Sequence, residues 1–573
     1  TGMSGFLYGG GNIGGMVNYV TKRPTEERYN SVIIGNTSGS NLYAHGDFGG
    51  RIDKKGDFGY RVNVLAQAGE TAVEHQDAER KFVSVALDWH ATDSLLIQVD
   101  ASTRDYHLKG RQAYWNLGGV KRPSAETLDS DKLWGQKWSY QNTQTDRLGA
   151  NIHWDISENF TFRAAYLDEK VVRHSALSFN TLESENTYKQ STKSNEKAPH
   201  TMNTESMFAF LDVDFDTGGI NHKVTTGFRY SDNTQERFKD GRSQALKVDN
   251  IPLNEQRYLP EPEWDEYGTT PYFLWSWGVE NYTLGDDITF NEQWSALIGV
   301  THGKVYDKTH LAGVYQPDDT YKDDATTPSV SIVYKPHDSV STYITYMEGM
   351  ENGSTVWDDE VILQDGLTRS VMNFEAKLGL LISEQIELGA KADLGGMLLT
   401  AALFEIDKPL EYYQILNDEQ AKFVQDGRQV HRGLEFTATG NLTDNFTIVG
   451  GFTLLDAQVK KQEQNPELEG NTPSEVAERM VKLYGEYNVS AMPGLTINGG
   501  FSYTGDFYSN LDNKEKLTGY TLVDIGARYE FDLANNPLAL RLNINNLTDK
   551  SYWANTQAVG EGRRVVLSAN ITF

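Results

Sequence analysis

At 573 residues the chain exceeds what one ordinary soluble core can organise, and its formal net charge of −28, from 52 Lys+Arg against 80 Asp+Glu, opposes binding to a phosphate backbone. Zero cysteines exclude thiolate metal sites and cysteine nucleophiles. The longest apolar runs, such as Met397 to Phe404, fall far short of the ~18 residues a membrane-spanning helix needs, so any crossing of a membrane must use a closed barrel.

The chain opens on GFLYGGGNIGGMVNYVTKRP, Gly5 to Pro24. A literal G-x-G-x-x-G stands at Gly9, Gly11 and Gly14, but that motif holds a dinucleotide only between a strand and the first turn of a helix. Here MVNYV follows, β-branched and aromatic, so the glycines read as a tight turn. No signal peptide is visible, and the N-terminus reads as truncated.

From Asn36 to Asn546 turn residues recur at short intervals without a linker-like tract, the rhythm of many short strands. Tight connections are predicted near Asp53 to Gly56, Ala91 to Asp93, Ser157 to Asn159, Thr217 to Gly219, Lys335 to Asp338, Leu442 to Asn445, Ser490 to Pro493 and Ala534 to Pro537. Between them lie long polar stretches, roughly Tyr106 to Thr145, His174 to Thr204, Glu236 to Thr270, Gly349 to Ser383 and Val459 to Val476. Short periplasmic turns and long extracellular loops are the mark of an outer-membrane barrel, whereas a soluble sandwich or propeller does not alternate its connections in this way.

Late in the chain the period-two pattern is nearly free of error. Leu495, Ile497, Phe501 and Tyr503 oppose Thr496, Asn498, Ser502 and Thr504, and Val523 to Leu533 sets its apolar residues against Asp524, Arg528, Glu530 and Asp532. Asp524, Arg528, Glu530 and Arg541 read as wall charges that keep an interior wet. Val565, Leu567, Ala569, Ile571 and Phe573 repeat the pattern at the end. The predicted fold class is all-β, a transmembrane antiparallel β-barrel of about 22 strands, closed by pairing the first strand after Arg28 with the one ending at Phe573. A barrel that wide needs a plug. The 12 His are scattered without HxxH or HExxH spacing, and no Ser/His or Asp/His catalytic pair is presented by motif, so the chain does not read as an enzyme.

The two ends resemble the TonB-dependent siderophore receptors. Gly5 to Pro24 is similar to the close of their plug domain, where an LYG triplet and a Gly-rich turn lead to a strand ending in a TKRP-like sequence. LRLNINNLTDKSYW, Leu540 to Trp553, followed by GRRVVLSANITF, is similar to their last two strands with a terminal Phe. The resemblance implies that residues 1–27 are the C-terminal part of a plug domain and residues 28–573 the receptor barrel. It implies an outer-membrane receptor and active transporter for a ferric siderophore in a Gram-negative cell, energised by a TonB-type inner-membrane protein through a segment preceding Thr1. Further implied partners are outer-membrane lipid and lipopolysaccharide and the barrel assembly machinery. The chain is expected to be a monomer that binds no nucleic acid, with no resident cofactor and ferric iron only as the siderophore complex.

In ferrichrome-type members the tyrosine of the LYG triplet reaches the siderophore, which implies a ligand role for Tyr8. The segment GRQAYW, Gly110 to Trp115, falls where such members place barrel contacts, which implicates Arg111, Gln112, Tyr114 and Trp115. Trp134 and Trp138 are further candidates, with loop packing as their other reading. Haem, cobalamin, another metal chelate or passive diffusion remain alternative functions. Haem receptors carry a His between FRAP and NPDL motifs, and NPEL at Asn465 to Leu468 matches the second without the first. Because GRQAYW is aromatic with few cations, it suits a hydroxamate more than a catecholate, which favours cationic clusters.

Overall fold

Strict alternation builds the wall. In Asp77–Thr92 the side chains of Val83, Val85, Leu87 and Trp89 are exposed, while Ala86 and Asp88 between them are buried. One face is therefore apolar enough for lipid and the other polar enough for a wet lumen. The computed structural model describes residues 15, 17–117, 119–195, 199–238, 246–264, 271–309, 320–356, 358–363, 367–374 and 376–573. Tyr8 and the turn glycines Gly9, Gly11 and Gly14 lie outside them.

Among the described residues 22 antiparallel strands form a ring, closed by Tyr29–Asn36 pairing with Arg564–Thr572 in the register Ser31↔Thr572 to Asn36↔Leu567. No ring strand among the described residues leaves an edge to face lipid, where unpaired backbone groups would each cost several kcal/mol. Ring strands run from the 8 residues of Tyr29–Asn36 to the 25 of Phe160–Ser184. Since ~9–11 residues cross the hydrocarbon, the long strands project beyond it. At the periplasmic end Phe58 stacks on Trp89 at 5.8 Å and Trp294 on Tyr334 at 4.5 Å, with Trp154, Phe160 and Phe215 exposed at the same level. This is an interfacial aromatic girdle.

The connections follow the expected rhythm with two departures. The stretch from His174 to Thr204 is not a free loop: the strand continues to Ser184 and returns as Thr187–Ser194, against which Leu246–Pro252 pairs in turn. Polar side chains there satisfy one another, as Ser178 does with Thr192 at 2.9 Å, while Leu182, Tyr188 and Ile251 bury an apolar set in the loop core. Three extracellular connections are also tight, Asn36 to Leu42, Glu70 to Asp77 and Asn417 to Gln420.

Ahead of the first strand, residues 17–28 run against the inner wall and are held by charge. Lys22 Nζ lies 2.7 Å from Asp47, which also accepts from Arg61 at 2.5 and 2.8 Å. Arg23 donates to Asp88 and reaches Asp100 at 3.3 Å, and Arg51 pairs with Glu26. Aspartates buried in a wall are tolerable only when paired in this way. Of the wall charges named from sequence, Arg528 lies 3.2 Å from Glu530, and Asp524 accepts from Asn546 N at 2.7 Å.

Candidate functional site

The segment after strand Leu95–Lys109 turns at Gly110, whose φ is +70° and where a Cβ would stand 2.3 Å from His75 O. Only glycine makes that turn without a clash, and it aims Arg111 into the extracellular mouth. Arg111 donates to Gln141 Oε1 through Nη1 and to Tyr114 Oη through Nη2 at 2.5 Å. Gln112 donates to Lys132 O at 2.7 Å and accepts from Trp134 N at 2.9 Å, which staples the two ends of the loop together. Tyr114–Asn116 pairs in parallel with Phe179–Thr181, and Tyr114 stacks on Phe179 at 5.7 Å.

Trp115 and Trp134 are only 2% and 4% exposed. They pack with Tyr188, Ile251, Phe507, Leu517 and Trp553 into an apolar core made entirely of extracellular segments. The last loop joins it through Arg122, which donates to Glu515 at 2.7 Å and Thr556 O at 2.8 Å and lies 4.5 Å from the Trp553 ring. Trp553 Nε1 in turn donates to Pro123 O at 3.0 Å. The loop thus folds back over the seam where the barrel closes.

Under this roof lies a recess of about 570 Å³, lined among others by Asn41, Tyr106, Arg111, Gln112, Tyr114 and Arg564. That volume lies in the range of small-molecule sites, and its mixed aromatic and hydrogen-bonding lining suits a compact polar ligand. Burial lowers the Arg111 guanidinium from its ordinary value; the neighbouring Tyr114 opposes this, and Arg173 adds to it. Arg111 nonetheless stays charged, because arginine does not deprotonate in proteins.

The structure brings Arg111, Gln112, Tyr114, Trp115 and Trp134 to the lining of the recess, the two tryptophans being at the same time almost wholly buried in the loop core. Trp138 stands elsewhere, donating to Leu259 O at 2.9 Å and meeting Trp264 at 5.6 Å. Sequence reasoning missed Tyr106, Asn41 and Arg564 in the lining. Tyr106 was legible by alternation, since it has the parity opposite to the outward Val99. Asn41 comes from the connection between the first two strands and Arg564 from the start of the last strand, across the seam, and no local pattern connects either to this loop.

A closed 22-strand barrel with residues 17–28 held by ion pairs against its inner wall and a roofed recess at its mouth is the architecture of an outer-membrane transport barrel. Residues 28–547 match the family model described as TonB dependent receptor-like, beta-barrel, and the chain belongs to that family of Gram-negative outer-membrane proteins, which are receptors and transporters and not enzymes. It is 26% identical to the ferrichrome receptor FcuA of Yersinia enterocolitica, over 100% of this chain and 74% of that one. It is 25% identical to the ferrichrome outer membrane transporter/phage receptor of Escherichia coli strain K12, over 99% and 77%. Among solved structures, BauA, the ferric preacinetobactin receptor from Acinetobacter baumannii, superposes with a TM-score of 0.85 at 27% identity, covering all of this chain and 84% of that one.

Proposed function

We propose that the protein binds a ferric siderophore in the extracellular recess and imports it in a step energised by a TonB-type inner-membrane partner. The observation that carries this reading is the recess itself, walled by Arg111, Gln112 and Tyr114 and roofed by a rigid loop core. The relatives support it, since those compared are named for ferrichrome or ferric preacinetobactin. In this reading residues 1–27 are the closing part of the plug, and Tyr8, outside the described residues, is a contact of the chelate. Trp115, Trp134 and Trp138 act through the loops they order. Iron enters as cargo, with no resident cofactor, and the receptor works as a monomer in lipid and lipopolysaccharide.

The test is accumulation of radiolabelled iron by cells that express the full-length receptor and lack other ferric uptake routes. Uptake from a ferric siderophore is expected, and it should vanish when the inner-membrane partner is deleted. Haem or cobalamin uptake in place of siderophore uptake, or uptake that persists without the partner, would overturn the reading.

A further inference from the structure

The inner wall of the mouth carries a band of cations against the trend of an acidic chain. Arg80 is in register with Tyr106, Tyr106 with Thr143, Thr143 with Arg173 and Arg173 with His200, a single row across five strands. Each has the parity opposite to outward apolar residues of its own strand, Val83, Val99, Leu148, Tyr166 and Phe215. All therefore face the interior. Arg111 hangs just above, close enough to Arg173 for each charge to act on the other.

These guanidiniums are occupied by neutral groups. Arg80 lies 5.3 Å from the Tyr106 ring centroid, Arg111 donates to Gln141 and Tyr114, and Arg173 Nη2 is 2.9 Å from His200 Nδ1. A guanidinium only donates, so that imidazole nitrogen accepts. Among the described residues none of the three is in an ion pair with a carboxylate, whereas Arg23, Arg61 and Arg163 deeper in the lumen all are. On these strands Glu79 and Asp105 point outward, and the nearest inward carboxylate, Glu169, stands two rows lower opposite Arg147. In a chain of net charge −28 these three arginines gather on the inner wall of the mouth, Arg111 in the lining of the recess and Arg80 and Arg173 in the row that holds the lining residue Tyr106.

We propose that the extracellular mouth around the recess is built for a ferric chelate whose complex carries net negative charge, its anionic oxygens facing Arg80, Arg111 and Arg173. This rests on the siderophore-receptor reading and narrows its substrate class. It departs from the hydroxamate expectation, which counted only the cations of the GRQAYW segment. Guanidinium forks match paired oxygens in geometry as well as charge, and the low-dielectric walls of the mouth strengthen the attraction.

The test compares two probes on the purified full-length receptor by quenching of tryptophan fluorescence: a triply anionic ferric tris-catecholate and an uncharged ferric tris-hydroxamate. The anionic probe should bind at least ~10-fold more tightly, with an affinity that falls as salt is raised. Arg173→Gln and Arg80→Gln should each weaken it ~10-fold, since a hydrogen bond to a charged group is being lost, with Arg173→Lys retaining part of the affinity and the uncharged probe unaffected. Folding of each variant is checked by its heat-modifiable migration. Equal or tighter binding of the uncharged probe, or unchanged affinity of both glutamine variants for the anionic one, overturns the inference and leaves the receptor reading standing. Failure of both ferric probes, with binding of haem or cobalamin, brings down the receptor reading and the inference together.

Discussion

Arg23 shows how one side chain ties the leading segment to the wall. Its guanidinium reaches both Asp88 and Asp100, which are 6% and 8% exposed, so the aspartates share one cation. Neutralising Arg23 strands two carboxylates, and breaking a buried pair from one side costs ~3–5 kcal/mol, whereas removing every charge costs far less. Arg23→Gln should therefore loosen the segment by ~3 kcal/mol, and adding Asp88→Asn and Asp100→Asn should restore part of the loss. The measurement is small-solute conductance of the full-length receptor in planar bilayers, which should rise in the single variant and fall back in the triple one. If the single variant is as tight as wild type, the pairs are incidental to closure.

At the scale of elements, the strands were legible and the mouth was not. Period two in a strand such as Leu495–Thr504 is imposed by lipid on one side and water on the other, so a local window contains all the information needed. The loop core has no such period, because Trp115, Tyr188, Phe507 and Trp553 meet only through the ring closure of the barrel. From sequence Trp115 reads as a ligand contact and Trp134 as either a contact or loop packing; the structure buries both in the loop core at the edge of the recess. Arg80 and Arg173 were hidden for the same reason: each is an ordinary inward strand residue until register sets them in one row. The packing role makes its own prediction. Trp115→Ala removes a large side chain from a core of modest size at a cost of ~3–5 kcal/mol, and Trp115→Phe should cost less. Limited proteolysis within residues 110–139 should speed up in the alanine variant, while barrel melting stays unchanged because the ladder hydrogen bonds are untouched. Unchanged proteolysis would mean that Arg122 and Gln112 hold the loop without the tryptophan.

For the molecule as a whole, closure is a contact between the two ends of the barrel chain, and Phe573 sits at its last point. Ser31 Oγ donates to Asn570 Oδ1 at 2.6 Å, and Phe573 N donates to Asn30 O at 2.9 Å, so Phe573 contributes its backbone to the seam. Its side chain is 56% exposed and adds little to the folded state. Surface truncations of that kind usually change stability by no more than ~0.5 kcal/mol. Before closure the first and last strands each have one neighbour, and the ring is complete only when Arg564–Thr572 meets Tyr29–Asn36. Until then the last strand's alternating apolar face and open edge are exposed, and the assembly role that the family resemblance implies for the aromatic at Phe573 would be played at that moment. Phe573→Ala is therefore expected to separate two quantities that a purely structural role would keep together. The yield of heat-modifiable barrel in cells should fall several-fold, while protein refolded into detergent should melt within about 2 °C of wild type, as a change of ~0.5 kcal/mol implies for a chain of this size. Ferric-probe affinity of the folded fraction should not change. A loss of melting temperature matching the loss of yield would assign Phe573 to the stability of the seam, and an unchanged yield would show that the terminal ring has no part in assembly.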